Sequence, residues 1–336
     1  MGVPLSTIWT QYFPPAATLT EKNLPSQQGK VVIITGGNSG VGYELCQILY
    51  HAGAKVYMAA RNEKLAQAAI ERIRQTQPPT SSHKPGELIF VKLDVSDLDS
   101  VKSAAEQFRS KEAHLHVLFN NAGATVLPTG SRSKQDHELT LATNCLGAFL
   151  LTHLLLPELS AAAKTAPAAS VRVIWTSSIL TEMSAPKHGL DLATINTCPL
   201  DSTNAKTEQY AATKAGNYFY ATEFARRYTP STGIVSLTQN PGNLKTNVWR
   251  NAPTWIYALV SWTLYDGIYG ARTGLWAGWS EGVGIEHSGG YVVPWGRWHP
   301  GQRADLVKAV RGKDEGGLGR AEQFWEWSEE VCKGHL

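Results

Sequence analysis

The chain has 336 residues, of which 43% are hydrophobic, so it can bury one large α/β core or two smaller ones. Its 31 Lys and Arg residues against 28 Asp and Glu residues give a net charge of +3, too balanced for a nucleic-acid-binding surface. Four scattered cysteines without C-x-x-C spacing, and histidines without metal-ligand spacing, predict a reducing, cytoplasmic location and no metal site.

Residues 1–29 predict an arm laid over the domain, with room for a short helix. They contain Pro14-Pro15 and polar stretches, and they lack the basic, apolar and small-residue order of a secretory signal. The most apolar late segment, residues 255–265, is too short to span a bilayer, which requires ~20 residues. It is interpreted as a core or pocket helix, with a patch that dips into a membrane surface as the alternative.

Residues 31–42 predict a strand, a glycine-rich turn and the start of a helix. Four branched apolar residues open the stretch without alternation, which is typical of a strand buried on both faces. Gly36, Gly40 and Gly42 follow, and apolar residues then return at helical spacing. Glycines let a backbone approach a pyrophosphate, and a helix N-terminus offers free N–H groups. The stretch therefore predicts a nucleotide phosphate site, the alternative being a turn that only connects strand and helix.

Strands and helices alternate along the rest of the chain. Further strands are predicted over residues 54–60, 88–93, 115–119, 171–176, 234–239 and 290–294. Helices are predicted over about 62–75, from 97 or 99, over about 134–159 and from 207 or 208, with a loose turn over 161–170.

This alternation predicts an α/β fold, a Rossmann-type doubly wound parallel sheet of about seven strands in a single domain. The domain would span residues 30–300 and include a C-terminal substrate lobe at about 247–300. An N-terminal arm (1–29) would precede it, and a helical tail (301–336) would follow it.

Polar and glycine residues stand where the predicted strands end. In an open parallel sheet, ligands bind outside the carboxyl ends of the strands, so one crevice should collect these residues. They are Gly36, Arg61, Asp94, Asn121, Ser178 and Gly242.

Tyr210 and Lys214 lie four residues apart, on one face of a predicted helix. The Lys214 ammonium can stabilise the Tyr210 phenolate and lower its pKa from ~10, so that the phenol exchanges protons near neutral pH. Such pairs also occur on ordinary helix faces; Ser178, at the end of the fifth strand, favours the functional interpretation. Asn144 lies mid-helix, where asparagine is a poor helix former, so a functional role or a kink is expected there.

These motifs occur together in a particular order. They are T-G-x-x-x-G-x-G, Asn120-Asn121-Ala122-Gly123, Asn144, Ser177-Ser178, Tyr210-x-x-x-Lys214 and Pro241-Gly242. In this order the chain resembles the short-chain dehydrogenase/reductase family over about residues 30–246.

The resemblance implies a catalytic set of Ser178, Tyr210 and Lys214, with Asn144 holding a water in a proton relay. Tyr210 would be the acid/base, and Lys214 would also bind the nicotinamide ribose. Ser178 is favoured over Ser177. The implied cofactor-binding residues are Gly36, Ser39, Gly40, Val41, Gly42, Arg61, Lys64, Asp94, Asn121, Ala122, Gly123, Tyr210, Lys214, Gly242, Leu244 and Thr246.

Arg61 bears on the type of cofactor. An NAD enzyme carries a carboxylate ~20 residues beyond the glycines, for the ribose 2′-OH. Here the second strand ends Ala59-Ala60-Arg61-Asn62, with Lys64 close by and no carboxylate. A guanidinium can pair with a 2′-phosphate as a planar fork, so NADP (NADPH) is favoured over NAD. The alternative is that Arg61 and Lys64 are merely solvated.

Two features resemble the retinol-dehydrogenase-like branch and similar fungal oxidoreductases: the long gap between Ser178 and Tyr210, and the long tail after Thr246. The tail is rich in aromatic residues, which fit either an apolar substrate or the core of the lobe itself. They are Trp249, Trp255, Tyr257, Trp262, Tyr265 and Tyr269.

The predicted function is that of an NADP-dependent carbonyl reductase or alcohol dehydrogenase, acting on CH–OH groups. The substrate would be lipophilic or polyketide- or terpenoid-like, as in fungal secondary metabolism. One alternative is a membrane-peripheral, retinol-dehydrogenase-like lipid oxidoreductase, and another is a non-catalytic NADP-binding regulator. The complete Ser, Tyr, Lys and Asn set argues against a regulator. The expected partner is a small-molecule substrate, without nucleic acid or an integral membrane segment and with homo-oligomerisation left open.

Overall fold

A computed structural model describes residues 3–77, 84–125, 127–197, 201–245 and 261–336. These residues build one eight-stranded sheet, in the order β3-β2-β1-β4-β5-β6-β7-β8. Strands β1 to β7 run parallel, and β8 pairs antiparallel with β7. The strands are β1 (Val31–Thr35), β2 (Lys55–Ala60), β3 (Glu87–Lys92), β4 (Val117–Asn120), β5 (Arg172–Thr176), β6 (Val235–Gln239), β7 (Tyr291–Val293) and β8 (Arg297–Trp298). The doubly wound sheet in a single domain is confirmed, and two-residue β8 is the strand that the pattern did not predict.

Helices cover both faces of the sheet. They are α1 (Leu5–Tyr12), α2 (Gly40–His51), α3 (Glu63–Gln75), α4 (Leu98–Arg109), α5 (Leu139–Leu141), α6 (Gly147–Leu154), α7 (Leu156–Ala163), α8 (Leu180–Met183), α9 (Thr203–Thr232), α10 (Gly267–Trp279), α11 (Ala304–Val310) and α12 (Arg320–Cys332). A π-helical turn, Ala142–Leu146, separates α5 from α6. In the ranges given above, no single helix combines the length and apolarity needed to cross a bilayer, and only the bent pair 139–154 with 156–163 meets both criteria jointly.

Strand β1 is buried on both faces, as its unbroken apolar run predicted. Val31 and Ile33 belong to the core that includes residues of α4, α6, α9 and α12. Val32 and Ile34 belong to the opposite core, with residues of α2, α3 and α10. A central strand of a doubly wound sheet has no solvent face, which is why hydrophobicity does not alternate along it.

The sequence predicted one continuous helix over about residues 134–159, and that prediction is wrong. The chain becomes helical only at Leu139, and α6 ends at Leu154. A new helix, α7, starts at Leu156 with Pro157 in its first turn, where a missing N–H costs nothing, and runs to Ala163. The predicted loose turn over 161–170 is therefore helical in its first three residues.

The helix that carries Tyr210 begins earlier than predicted. It starts at Thr203, with Ser202 as its N-cap, because the Ser202 side chain accepts a hydrogen bond from Ala205 N at 3.1 Å. The start near residues 207 or 208 was therefore placed about one helical turn too late.

The two ends of the chain pack against the domain. The arm contains α1 and is held further along by a bidentate ion pair between Glu21 and Arg272, at 2.8 and 3.1 Å. In the tail, Phe324 of α12 stacks on Tyr220 of α9, with ring centroids 4.7 Å apart. The described part of the predicted substrate lobe supplies α10, β7 and β8 to the main fold, and its contact with a substrate stays a prediction.

Candidate active site

The turn between β1 and α2 can adopt its close-packed conformation only because its key positions are glycines. Gly36 and Gly40 have φ values of +68° and +55°, in the left-handed region. A Cβ on Gly42 would lie 2.5 Å from the Gly36 carbonyl oxygen and 2.8 Å from Asn121 Nδ2. The Ser39 side chain makes no capping hydrogen bond to α2, so the first-turn N–H groups of this 12-residue helix can face an anion. Val41 is buried in the same turn.

The end of β4 is tied to this turn by Thr35. The Thr35 hydroxyl accepts hydrogen bonds from the backbone N–H groups of Asn121 and Ala122, both at 2.9 Å. Asn121 Nδ2 donates in return to the Thr35 carbonyl oxygen at 2.9 Å. The threonine of the glycine motif therefore aligns the two strand ends, a role that the sequence analysis did not assign.

Asn144 lies in the π-helical turn, a type of helix that recurs at functional sites. Its side chain accepts from Ala124 N at 2.7 Å and donates to Ala124 O at 3.0 Å and Thr213 Oγ1 at 2.9 Å. The side chain thus joins the segment after β4 to α9. The role of Asn144 in holding a water stays a prediction.

Ser178, Tyr210 and Lys214 meet at the end of β5. Tyr210 and Lys214 lie on successive turns of α9, with Lys214 Nζ 5.6 Å from the centre of the Tyr210 ring. Lys214 Nζ donates to the Thr176 carbonyl oxygen at 2.9 Å. A Cβ on Gly123 would lie 3.2 Å from both Lys214 Nζ and Asn144 Oδ1, so a small residue is needed there.

The two adjacent serines have different environments. Ser177 is buried, and its hydroxyl donates to the Lys214 carbonyl oxygen at 2.9 Å and pairs with Thr181 Oγ1 at 2.8 Å. Ser178 is partly exposed; its Oγ accepts a hydrogen bond from Leu180 N at 3.2 Å, and it lies close enough to Tyr210 to lower the pKa of that phenol. Tyr291 Oη, on β7, donates to the Ser178 carbonyl oxygen at 3.2 Å.

Burial governs the protonation of this pair. Burial raises the pKa of the Tyr210 phenol to about 12, and the Ser178 side chain lowers it only in part. Burial also lowers the pKa of the Lys214 ammonium to about 8. The sequence analysis expected the pKa of Tyr210 to fall, and that direction is wrong for the chain alone. Desolvation disfavours both charged forms, and Lys214 Nζ bonds to a carbonyl oxygen rather than to the phenol.

Arg61 lies just beyond β2, close to the glycine turn, since Gly36 N donates to the Ala59 carbonyl oxygen at 2.8 Å. Its side chain is 74% exposed, and Nη1 lies 3.8 Å from Asp94 Oδ2. Asp94 also accepts hydrogen bonds from Ser96 N and Oγ. Two predicted cofactor-binding residues thus lie side by side, and Lys64 is exposed in the first turn of α3.

The turn after β6 completes the crevice. Gly242 has a φ of +100°, and its N–H donates to Asn240 Oδ1 at 3.1 Å. Leu244 is buried and forms a β-bridge with Tyr265. The predicted residue Thr246 lies outside the described residues, as do Trp249, Trp255 and Tyr257.

The aromatic residues of the tail divide into two groups. Tyr265 and Tyr269 both pack on Trp295, with ring centroids 4.7 Å apart in each pair. This packing favours the interpretation of these two rings as part of the core. Trp262 is 75% exposed.

Comparison with known proteins identifies the family. Residues 30–191 match the family model for short chain dehydrogenase. A short-chain dehydrogenase/reductase of Phomopsis amygdali is 42% identical over 337 residues, covering 99% of this chain and 98% of the relative. The short-chain dehydrogenase/reductase iacJ of Pestalotiopsis fici is 43% identical over 335 residues, covering 99% of both chains. The chain belongs to the short-chain dehydrogenase/reductase family.

A solved structure shares the fold. An uncharacterised protein from Mycobacterium paratuberculosis has a TM-score of 0.68 and 26% sequence identity, covering 95% of this chain and 98% of the other. The short-chain dehydrogenase/reductase family consists of oxidoreductases that bind a nicotinamide cofactor. The chain's similarity to fungal short-chain enzymes, expected from the sequence, is confirmed.

Proposed function

We propose that this short-chain dehydrogenase/reductase is an NADP-dependent enzyme that interconverts an alcohol and a ketone or aldehyde. The observation that carries the proposal is the convergence of Ser178, Tyr210 and Lys214 beside Gly123, at the carboxyl edge of the sheet. The glycine turn and α2 would hold the pyrophosphate, because the first-turn N–H groups of α2 lie at this turn, and Gly42 lets the turn pack closely where a Cβ would meet the Gly36 carbonyl oxygen. When bound, the nicotinamide supplies the hydride chemistry.

The chain's own residues would handle the proton. In the reducing direction, the Tyr210 phenol would give its proton to the substrate oxygen, and in the oxidising direction the phenolate would take the proton back. Ser178 would hold the same oxygen by a hydrogen bond. Lys214 would stabilise the Tyr210 phenolate by its charge and would donate to the cofactor ribose. Because burial raises the pKa of Tyr210 to about 12, the phenol is the stable form in the free chain, which suits a proton donor.

The substrate we propose is a lipophilic alcohol or ketone that carries further polar groups, of the polyketide or terpenoid kind. A small cleft near the start of α9 lies next to Tyr210, and its lining contains both apolar and polar residues. Two lining residues place this cleft beside the candidate site. Lys206 lies one turn before Tyr210, and Thr125 follows Ala124, which is hydrogen-bonded to Asn144. The lining residues are Thr125, Leu127, Pro128, Gly130, Ser131, Glu138, Thr140 and Lys206. Screening alcohols and ketones while following NADPH absorbance tests the proposal, and it fails if none is turned over.

Arg61 should decide the choice between the two nicotinamide cofactors. NADPH is expected to bind more tightly than NADH, and Arg61→Ala should weaken NADPH by on the order of tenfold to a hundredfold, as for a hydrogen bond to a charged group. Binding of NADH should not change. Fluorescence titration measures all four dissociation constants, and Arg74→Ala, an exposed arginine paired with Glu71 on α3, is the matched control. Equal wild-type affinities for NADPH and NADH would refute the prediction.

The two serines should separate catalysis from stability. Ser178→Ala should lower kcat by roughly a hundredfold to a thousandfold, the range seen for donors to a reacting oxygen, with NADPH affinity kept. Ser177→Ala should instead lower the free energy of unfolding by about 1–3 kcal/mol, since it leaves buried partners without their hydrogen bond. Steady-state kinetics and urea denaturation of both variants test this. A larger loss of kcat in Ser177→Ala would show that the roles were assigned to the wrong serines.

A further inference from the structure

The N-terminal arm inserts a buried polar side chain next to the crevice. Gln11, in the last turn of α1, is 2% exposed, although its neighbour Trp9 is 65% exposed. Gln11 Nε2 donates to Glu182 Oε1, and Gln11 Oε1 accepts from Asn240 Nδ2, both at 2.8 Å. These partners follow Gln11 in the chain by 171 and 229 residues. A buried amide with both ends engaged is specifically oriented.

The partners of Gln11 lead to the two sides of the candidate site. Asn240 closes β6, and its Oδ1 accepts from Gly242 N at 3.1 Å, which holds the turn that borders the crevice. Glu182 is buried in α8, the short helix that follows Ser178. His299 Nδ1 accepts from Gly301 N at 3.0 Å, so its Nε2–H is the donor to Glu182 Oε1 at 2.9 Å. Because a carboxylate oxygen only accepts, Gln11 must present Nε2 to Glu182 and Oε1 to Asn240.

The rest of α1 is fixed well enough to hold Gln11 in place. Arg297 of β8 donates to the hydroxyl and the carbonyl oxygen of Thr10, at 2.6 and 2.7 Å. Tyr265 Oη donates to the Tyr12 carbonyl oxygen at 3.2 Å. Thr7, one turn before Gln11, is also buried. Contacts from two separate segments of the chain therefore anchor the arm on either side of Gln11.

We infer that Gln11 is a positioning residue of the nucleotide site, acting through Asn240 on the Pro241-Gly242 turn. Glu182 and His299 hold the Gln11 amide, and the amide holds Asn240 in the orientation that accepts from Gly242 N. The arm thereby becomes part of the cofactor-binding machinery rather than a cover over the domain. The inference rests on the proposed function, since it assumes that this turn borders the nucleotide.

The test compares Gln11→Met with Thr7→Val. Methionine keeps the length and apolar volume of glutamine but removes its side-chain hydrogen bonds. Thr7→Val changes the side chain of another buried residue on α1, whose own contact with Gln11 is made by its backbone carbonyl oxygen and is kept in the variant. We expect Gln11→Met to raise the NADPH dissociation constant by roughly fivefold to twentyfold, the effect of losing hydrogen bonds that order a binding loop. The kcat at saturating NADPH should change by less than about threefold, and Thr7→Val should leave the dissociation constant unchanged. Binding is measured by titration at a temperature well below the Tm of every variant.

A double-mutant cycle with Asn240→Ala shows whether Gln11 acts through Asn240. In the Asn240→Ala background, Gln11→Met should change the dissociation constant by less than about twofold, because the connection is already broken. Equal effects in both backgrounds would overturn the inference, as would a Gln11→Met chain that binds NADPH like the wild type. A Gln11→Met chain with a lower Tm and an unchanged dissociation constant would show a structural role only. If the wild type binds neither NADPH nor NADH, the proposed function fails and this inference fails with it.

Discussion

Replacing Tyr210 with phenylalanine should reduce kcat by ~10²–10⁴, the usual contribution of general acid–base catalysis. The substitution removes the proton donor but keeps the ring that lies 5.6 Å from Lys214 Nζ. Lys214 keeps its hydrogen bond to the Thr176 carbonyl oxygen, so it stays in position to bind the ribose. The NADPH dissociation constant should therefore change little. Rates with saturating substrate and NADPH, together with a binding titration, test both parts.

Tyr220→Phe is the matched control for this experiment. Tyr220 is a second tyrosine on α9 and is fully buried in the core, where its hydroxyl pairs with Ser328 Oγ at 2.6 Å and its ring stacks on Phe324 of α12. Tyr220→Phe should lose about 1 kcal/mol of stability from that hydrogen bond and keep its turnover. If Tyr210→Phe turns over a good substrate at a rate close to wild type, Tyr210 is not the acid/base and the proposed mechanism is wrong.

The parts of the fold that the sequence predicted well are those set by local pattern. The run from Val31 to Gly42 contains an apolar strand, glycines at required positions and a helical stripe, and each part agrees with the others. The strand ends followed from the same pattern, and in a parallel sheet they lie at one edge. The sequence order of the motifs was therefore enough to bring Asn121, Ser178 and Tyr210 into one crevice.

What the sequence could not predict depends on contacts between distant segments. At the π-helical turn, the Asn144 side chain bonds to Ala124 and Thr213, and no local periodicity reports such bonds. In the sequence, nothing distinguishes Gln11 from the other polar residues of the arm, because both of its partners lie far along the chain. Pro157 signals the break before α7. Because the apolar pattern continues on both sides of it, the sequence analysis predicted one continuous helix.

The pKa of Tyr210 shows the same limit at the site. The spacing of Tyr210 and Lys214 correctly predicted that they share a helix face, and this placed the ammonium near the phenol. Whether a charge lowers that pKa depends on its distance, on burial and on what else the ammonium binds. Burial outweighs the other effects here, and burial is a property of the folded chain rather than of a five-residue motif.

Replacing Lys214 with methionine should damage turnover and nucleotide binding together, because the ammonium would serve both. We expect kcat to fall on the order of a hundredfold or more. The NADPH dissociation constant should rise on the order of tenfold to a hundredfold, through loss of a charge-assisted hydrogen bond to the ribose. Lys102→Met, on α4, is the control and should leave both constants unchanged. A Lys214→Met enzyme that loses turnover but binds NADPH normally would limit Lys214 to the proton step.

The stability of Lys214→Met should not fall, which separates loss of function from unfolding. Burial lowers the pKa of Lys214 from its ordinary 10.5 to about 8. Between these values the unfolded chain binds more protons, so this lysine's contribution to stability rises with pH in that window and is least favourable below about pH 8. Methionine removes that cost, and the Thr176 carbonyl oxygen still accepts from Asn217 Nδ2 at 2.8 Å. The Tm at pH 7 should therefore be equal to or above that of the wild type.

The lowered pKa of Lys214 should also make nucleotide binding depend on pH, and this dependence should disappear when Lys214 is replaced. The free chain carries the ammonium below about pH 8, and a ribose that accepts its hydrogen bond should raise this pKa by linkage. Wild-type affinity for NADPH should accordingly decline as the pH rises above about 8, whereas the affinity of Lys214→Met should stay flat over that window. Titrations at pH values from about 6.5 to about 9.5, a range that spans the lowered pKa of Lys214, measure this. A decline of equal steepness in Lys214→Met would show that another group causes it, and Lys214 would then have no part in holding the ribose.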